Sequence, residues 1–363
     1  MKLRVERPIR NHKIVPHGGL YSAGLEYKPE IIDFSSNVNP IGYPPSITNN
    51  LKKDFPLFSI YPDPDSTKLR NYLEKYTGIS KDQIIVGNGA TEIIYNFSAA
   101  FLKGCKVLIP IPTFGEYESS AKLNGASINF LKTMNLSNEI SKLLDILPKN
   151  DCVFICNPNN PTGSLIKRKD ILKIVESAYK KSILLFVDEC FIEFTSNMRE
   201  SIVPHLREFD NLFVLRSMTK SFGLAGLRIG YGLGSLQMIK VLQKIKLPWN
   251  VSGFAQRIAI KALLDKIHLD KTRKIISRER KFLKEYISKI NGFSCYNSDV
   301  NFLLIKSKNN SKYIQKKLLK KNILIRDCST FRGLNNNFIR IAVRTHEENL
   351  KLIKELEKIL QKY

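Results

Sequence analysis

Membrane-length hydrophobic runs are missing from this 363-residue chain, and no stretch approaches the roughly 18 consecutive apolar residues that a spanning helix requires. The beginning, Met1–Arg10, carries basic residues with no apolar segment behind them. It does not read as a secretory signal, so the expected location is the cytoplasm. Cysteine is sparse: Cys105, Cys152, Cys156, Cys190, Cys295 and Cys328 form no CxxC pair. They read as separate thiols, which argues against a zinc site or a disulfide framework. Acidic residues are also few, 33 against 58 Lys and Arg, giving a formal charge of +25. The excess is scattered over helix-like stretches such as Lys271–Lys284 and Lys312–Lys321, the pattern of a solvated basic surface that also attracts small anions. Zinc-finger and RNP-type signatures are absent, so no nucleic-acid partner is expected. Neither low complexity nor a repeat period is visible.

What the chain does have is enough apolar content, 43 %, for a sizeable core, and a length that suits a large domain with a smaller one. Residues 1–60 are rich in turn formers (Pro16-His17-Gly18-Gly19, Asn37-Val38-Asn39-Pro40, Tyr43-Pro44-Pro45) and read as an extended arm. A helix is expected over Ser66–Tyr76, capped by Ser66 or Asp65. Short apolar runs then alternate with helical stretches. Strands are expected at Gln83–Val86, Lys106–Ile109, Ser127–Leu131, Cys152–Cys156, Ile183–Val187, Leu212–Leu215 and Arg228–Leu233. Helices are expected at Thr91–Leu102, Tyr117–Leu123, Ile140–Leu147 and Lys169–Tyr179. Buried strands separated by helices argue for an α/β domain with a mostly parallel sheet, over residues 61–260. A long helical region, Ser252–Ile290, leads into a smaller α+β domain over residues 261–363. Its strands are expected at Asn301–Ile305, Asn322–Ile325 and Phe338–Val343, with a closing helix at Glu347–Lys362. The arm is expected to join the smaller domain or reach a neighbouring subunit.

The strongest chemical signal is Ser217-Met218-Thr219-Lys220-Ser221-Phe222-Gly223-Leu224-Ala225-Gly226-Leu227-Arg228. Schiff-base chemistry needs an amine that sheds its proton near neutral pH, which lysine does when desolvated or placed beside cations. The hydroxyls of Ser217 and Thr219 and the guanidinium of Arg228 suit a phosphate dianion. A Ser-x-x-Lys alone also marks enzymes with a serine nucleophile, so the surrounding motifs decide. Cys156-Asn157-Pro158-Asn159-Asn160-Pro161-Thr162-Gly163 forms a tight polar loop after a strand, where ligands bind in open α/β sheets. Asp188 ends an apolar strand, and a carboxylate there is costly to bury without a cation such as a protonated pyridine nitrogen. Gly87-Asn88-Gly89-Ala90-Thr91-Glu92 passes from a strand into a helix start, an anion site made of backbone N–H groups.

Together these pieces resemble the class I/II aminotransferase superfamily over nearly the whole chain. The resemblance implies a fold-type I α/β enzyme whose cofactor, pyridoxal 5′-phosphate, is held by Lys220 as a Schiff base. It further implies that Asp188 pairs with the pyridinium nitrogen and that Asn160 bonds the ring hydroxyl oxygen. Phe114, in Pro112-Thr113-Phe114, would stack on the ring. Ala90 and Thr91 would offer backbone groups to the phosphate beside Ser217, Thr219 and Arg228. Tyr61, in Tyr61-Pro62-Asp63-Pro64, would reach the cofactor phosphate of a partner subunit, which implies a homodimer with shared sites.

Two groups within the superfamily compete, threonine-phosphate decarboxylases of cobamide synthesis and histidinol-phosphate aminotransferases. Both act on small amines that carry a phosphate ester. Pro16-His17-Gly18-Gly19 followed by Asp33-Phe34-Ser35-Ser36-Asn37-Val38-Asn39-Pro40 resembles the decarboxylase N-terminus, where the positions of His17, Gly18 and Asn37 touch substrate. Phe191, in Asp188-Glu189-Cys190-Phe191, stands where the aminotransferases usually carry a tyrosine bonded to the ring hydroxyl. Leu324-Ile325-Arg326-Asp327-Cys328 and Phe331-Arg332-Gly333-Leu334 are similar to the decarboxylase C-terminal segment, and Arg326 and Arg340 match its substrate arginines, alongside Asn160. The expected substrate is O-phospho-L-threonine, with phosphoserine left open. The expected alternative is an aminotransferase acting on histidinol phosphate. A regulator that borrows this fold would need an added helix-turn-helix segment, and no stretch before Gly87 or after Arg344 has that pattern.

Overall fold

A computed structural model describes residues 6–48, 51–195 and 198–360. In chain order the strands are β1 (Ile32–Asp33), β2 (Ile84–Asn88), β3 (Lys106–Ile111), β4 (Ser127–Lys132), β5 (Cys152–Cys156), β6 (Leu184–Asp188), β7 (Leu212–Ser217), β8 (Ile229–Leu233), β9 (Phe293–Cys295), β10 (Phe302–Ser307), β11 (Ile323–Leu324), β12 (Arg326–Asp327) and β13 (Phe338–Ala342). Seven of them form one sheet in the order β2-β8-β7-β6-β5-β3-β4, in which only β8 runs against its neighbours. The chain therefore has the fold-type I α/β architecture, with a mostly parallel sheet and helices in the crossovers.

Both faces of the central strands β5, β6 and β7 are buried, which is why these strands read as unbroken apolar runs, whereas edge strand β4 is partly exposed. Alternate residues point to opposite sides. Val153, Ile155, Leu185, Val187, Leu212 and Val214 meet the helices Arg168–Lys180 and Gly253–Leu264 on one face. Phe154, Phe186, Phe213 and Leu215 meet Phe97 of helix Ala90–Phe101 and Tyr117 of helix Glu116–Leu123 on the other. Burying each such side chain is worth about 1.5–3 kcal/mol, so the sheet is a firm platform for whatever stands on its edge.

A second, four-stranded antiparallel sheet, β12-β13-β10-β9, packs on helices Lys266–Lys289, Ser311–Leu319 and His346–Leu360 through Leu303, Ile305, Ile339 and Ile341. The arm touches this layer: β1 pairs in parallel with β11, and the Ala342 N–H donates to the Phe34 carbonyl at 2.8 Å. Three expectations need correction. Helix Thr67–Thr77 is not capped by Ser66 or Asp65; Asp63 accepts from the Asp65 and Thr67 N–H groups at 2.9 and 2.7 Å. The long helical region breaks at Asp265, whose carboxylate caps the second helix by accepting from the His268 N–H at 3.1 Å. The strand expected at Asn322–Ile325 is only β11, Ile323–Leu324, which pairs with β1 of the arm and not with the four-stranded sheet; that sheet takes up the chain again at β12, from Arg326. No described helix is long and apolar enough to cross a membrane.

Candidate active site

The carboxyl ends of β2, β5, β6 and β7 converge on one edge of the large sheet, where ligands bind in such folds. Register aligns Cys156 with Asp188 and Asp188 with Leu215. The chain after β5 is pinned by Asn157, which accepts from the Ile166 N–H at 2.8 Å and donates to the Ile166 carbonyl at 3.0 Å. Asn159 ties that loop to the one after β3, donating to the Pro112 carbonyl at 3.0 Å. After β7 the Ser217 hydroxyl accepts from the Thr219 N–H at 3.1 Å, which starts the short helix Met218–Ser221 and sets Lys220 over the edge.

Lys220 faces a cavity of about 1450 Å³. Burial pushes its ammonium pKa down, and the cations Arg340 and Arg228 push it further, to about 8. Asp188 lines the same cavity and is 5 % exposed. Its Oδ1 accepts from the Cys190 N–H at 2.8 Å and its Oδ2 from the Tyr117 hydroxyl at 2.6 Å. Burial raises its pKa, while hydrogen bonds from Cys190 and Tyr117 act in the opposite sense. A buried carboxylate held by neutral donors on the cavity wall is matched to a protonated ring nitrogen.

An anion cradle lies beside them. Gly89 has φ +81°, and a Cβ there would stand 2.4 Å from Nη2 of Arg228, so only glycine lets that guanidinium lie against the start of helix Ala90–Phe101. Ala90, Thr91, Ser217, Thr219 and Arg228 all line the cavity. Phe114 lines it as well and meets Tyr117 edge-on at 5.7 Å. An amine depressed toward neutrality, a buried carboxylate, a phosphate cradle and an aromatic wall fit pyridoxal phosphate.

The opposite wall is cationic. Arg340, on β13, is buried, donates to Oδ1 of Asn160 and to the Ser35 carbonyl, and stays a cation at neutral pH, with burial lowering it to about 10. Since Asn160 accepts through Oδ1, its Nδ2 is left to donate. Arg326, on β12, donates to the carbonyls of Pro16 and His17 and to Oγ1 of Thr330. Nε2 of His17 lies 2.7 Å from Oε1 of Glu116. Gly18 runs so close to the chain that a Cβ would come within 2.7 Å of the Ser35 carbonyl. Asn37 is 2 % exposed, and its Oδ1 has no hydrogen-bond partner among the described residues. His17, Gly18, Asn37, Asn160, Phe191, Arg326 and Arg340 share the cavity with Lys220. Phe191 packs edge-on against Phe302 at 5.2 Å, presenting carbon where a tyrosine would present a hydroxyl. Tyr61 is not in this cavity: it is 80 % exposed and rests on Trp249, ring centroids 5.0 Å apart.

Comparison with known proteins agrees with the chemistry. The model of the family "Aminotransferase class I and II" matches residues 29–356. The chain belongs to this family. Its cofactor is pyridoxal 5′-phosphate. A relative from Caldanaerobacter subterraneus subsp. tengcongensis, provisionally named threonine-phosphate decarboxylase, is 38 % identical over 94 % of this chain and 92 % of its own. A histidinol-phosphate aminotransferase from the same organism is 36 % identical over 94 % of this chain and 97 % of its own. The crystal structure of the histidinol-phosphate aminotransferase from Clostridium acetobutylicum superimposes with a TM-score of 0.86 at 32 % identity, covering 92 % of this chain and all of that one.

Other side chains of this family member reach the site without having stood out in the sequence. Tyr117 holds Asp188. Glu116, 5 % exposed, holds His17 and accepts from the Tyr95 hydroxyl at 2.6 Å. Hydrogen bonds from His17 and Tyr95 keep Glu116 below the usual carboxylate range despite its burial. The pair Glu116-Tyr117 opens a helix directly after the Pro-Thr-Phe turn, and that adjacency was the available signal.

Proposed function

We propose that this chain decarboxylates O-phospho-L-threonine to (R)-1-amino-2-propanol phosphate, the linker precursor of cobamides. The observation that carries the reading is the anchoring of the arm. The His17-Gly18 segment, by which the sequence resembles the decarboxylases, is built into the cavity wall through Arg326 and Glu116. In this reading Lys220 holds the cofactor, and Asp188 pairs with its ring nitrogen. Ser217, Thr219, Arg228 and the N–H groups of Ala90 and Thr91 bind its phosphate, while Phe114 covers the ring. Asn160 donates Nδ2 to the ring oxygen. Phe191 leaves that oxygen without a tyrosine donor. Pyridoxal phosphate, when bound, supplies a conjugated ring that accepts the electron pair left at Cα. His17, Gly18, Asn37, Arg326 and Arg340 bind the substrate's phosphate and amino-acid groups. With Arg326 and Arg340 taken up by the substrate's phosphate, no arginine would be left to hold its carboxylate, which would favour loss of CO2 over loss of the Cα proton. Lys220, near-neutral in pKa, returns a proton to Cα. Exposed Tyr61, Phe58, Leu247 and Trp249 suit contact with a second copy, in which Tyr61 reaches the partner's cofactor phosphate.

A second reading, histidinol-phosphate aminotransferase, is favoured by the 32 % identical solved structure and by relatives of that name. One experiment separates them. Cofactor-loaded protein is given O-phospho-L-threonine without an oxo-acid, and separately histidinol phosphate with 2-oxoglutarate. Sustained CO2 release in the first mixture supports the decarboxylase; glutamate in the second without CO2 in the first overturns it.

A further inference from the structure

Tyr117 sits at the first turn of helix Glu116–Leu123, 1 % exposed, with its ring stacked on Phe154 at 5.1 Å and 12°. Such packing leaves the hydroxyl little freedom, and it donates to Oδ2 of Asp188 at 2.6 Å. The other carboxylate oxygen accepts from the Cys190 N–H. The carboxylate is thus clamped from both sides, by Tyr117 on Oδ2 and by the Cys190 N–H on Oδ1, with the Cys190 thiol as a further neutral neighbour. We infer that Tyr117 is a positioning residue for the cofactor: by donating to Asp188 it fixes the carboxylate's plane and keeps it ionised, so that the proton shared with the ring nitrogen stays on the nitrogen.

The chemistry follows from the donor's type. Burial holds the Tyr117 phenol far above its ordinary pKa, so it remains a donor at any working pH. The thiols of Cys156 and Cys190 beside Asp188 are likewise held neutral by burial. A hydrogen bond to a charged acceptor is among the stronger kinds in a protein interior. Its removal makes Asp188 more basic, and the shared proton moves toward the carboxylate. The ring then loses the positive charge that makes it an electron sink.

This inference rests on the reading that Asp188 meets the ring nitrogen, and the test separates the two. Apo-protein is loaded with pyridoxal phosphate labelled with 15N in the ring, and the nitrogen's chemical shift is read in the wild type, Y117F, D188N and a protein with 3-fluorotyrosine at position 117. Y117F should move the signal toward that of unprotonated pyridine and weaken cofactor binding about tenfold by equilibrium dialysis. The 3-fluorotyrosine protein, a stronger donor of nearly the same shape, should move the signal the other way. A packing role alone would not produce opposite shifts. If D188N moves the signal but both Tyr117 variants leave it in place, the role of Tyr117 is wrong and that of Asp188 stands. If D188N also leaves it in place, both fall. Should Y117F fail to fold, as judged by the apo-protein's thermal melt, the 3-fluorotyrosine arm decides alone.

Discussion

Replacing Arg340 by glutamine should slow capture of the cofactor by changing the acidity of a different residue. In the proposed reading, Lys220 presents a free amine to the cofactor's aldehyde. Burial first, and then the positive charges of Arg340 and Arg228, bring its pKa from 10.5 to about 8. At pH 7 an amine of that pKa is unprotonated in about one molecule in eleven, against about one in 3000 for an ordinary lysine, a gain of about 300-fold in reactive form. Arg340→Gln removes the larger of the two charge effects while keeping a polar side chain beside Asn160, so the Lys220 pKa should rise. Mixing apo-protein with pyridoxal phosphate in a stopped-flow spectrometer across pH gives the profile directly. The wild-type capture rate should climb with pH, pass its half-maximum near 8 and level off above that; in the variant the half-maximum should lie at higher pH, with the rate at pH 7 reduced. A wild-type profile still climbing toward 10, or a variant profile that superimposes on it, would refute the electrostatic argument.

Further predictions concern the cradle, the core and the reaction. Gly89→Ala should cut cofactor affinity at least about tenfold by dialysis, because φ +81° is strained for alanine and the new Cβ would displace Arg228. Glu189→Ala should lower unfolding stability by about 3 kcal/mol in urea titrations, since it takes from the buried Arg216 guanidinium the carboxylate bound at 2.9 and 3.1 Å and leaves it Ser201 and the more distant Glu193. Under the decarboxylase reading, Phe191→Tyr should return a donor to the ring oxygen and raise the fraction of turnovers that end in amino transfer rather than CO2 release. Product ratios by mass spectrometry would check this.

The central strands of the large sheet were legible because they are apolar runs buried on both faces, and β5 falls on the expected Cys152–Cys156. The cavity residues were legible for a different reason: glycine, proline, asparagine and a lone aspartate occur at strand ends, where a core has no use for them. Long-range partners were not. Nothing local says that Tyr117 bonds an aspartate 71 positions later, or that Arg326 bonds carbonyls 309 and 310 positions earlier. Strand β1 was missed because two residues carry no periodicity, and its existence depends on β11 lying beside it. The cap of helix Thr67–Thr77 was misjudged because Asp63 reaches past Pro64 to the Thr67 N–H, while Ser66, in the left-handed region at φ 50°, turns away.

The central claim is that this family member carries its cofactor on Lys220, between the Asp188 carboxylate and the Gly89 turn. Borohydride reduction of loaded protein makes that linkage permanent, and tryptic mass mapping locates it. Because a modified Lys220 resists trypsin, the account predicts an uncut peptide Ser217–Arg228 carrying the phosphopyridoxyl mass. The same mass on another lysine, with Lys220 cleaved normally, would contradict it.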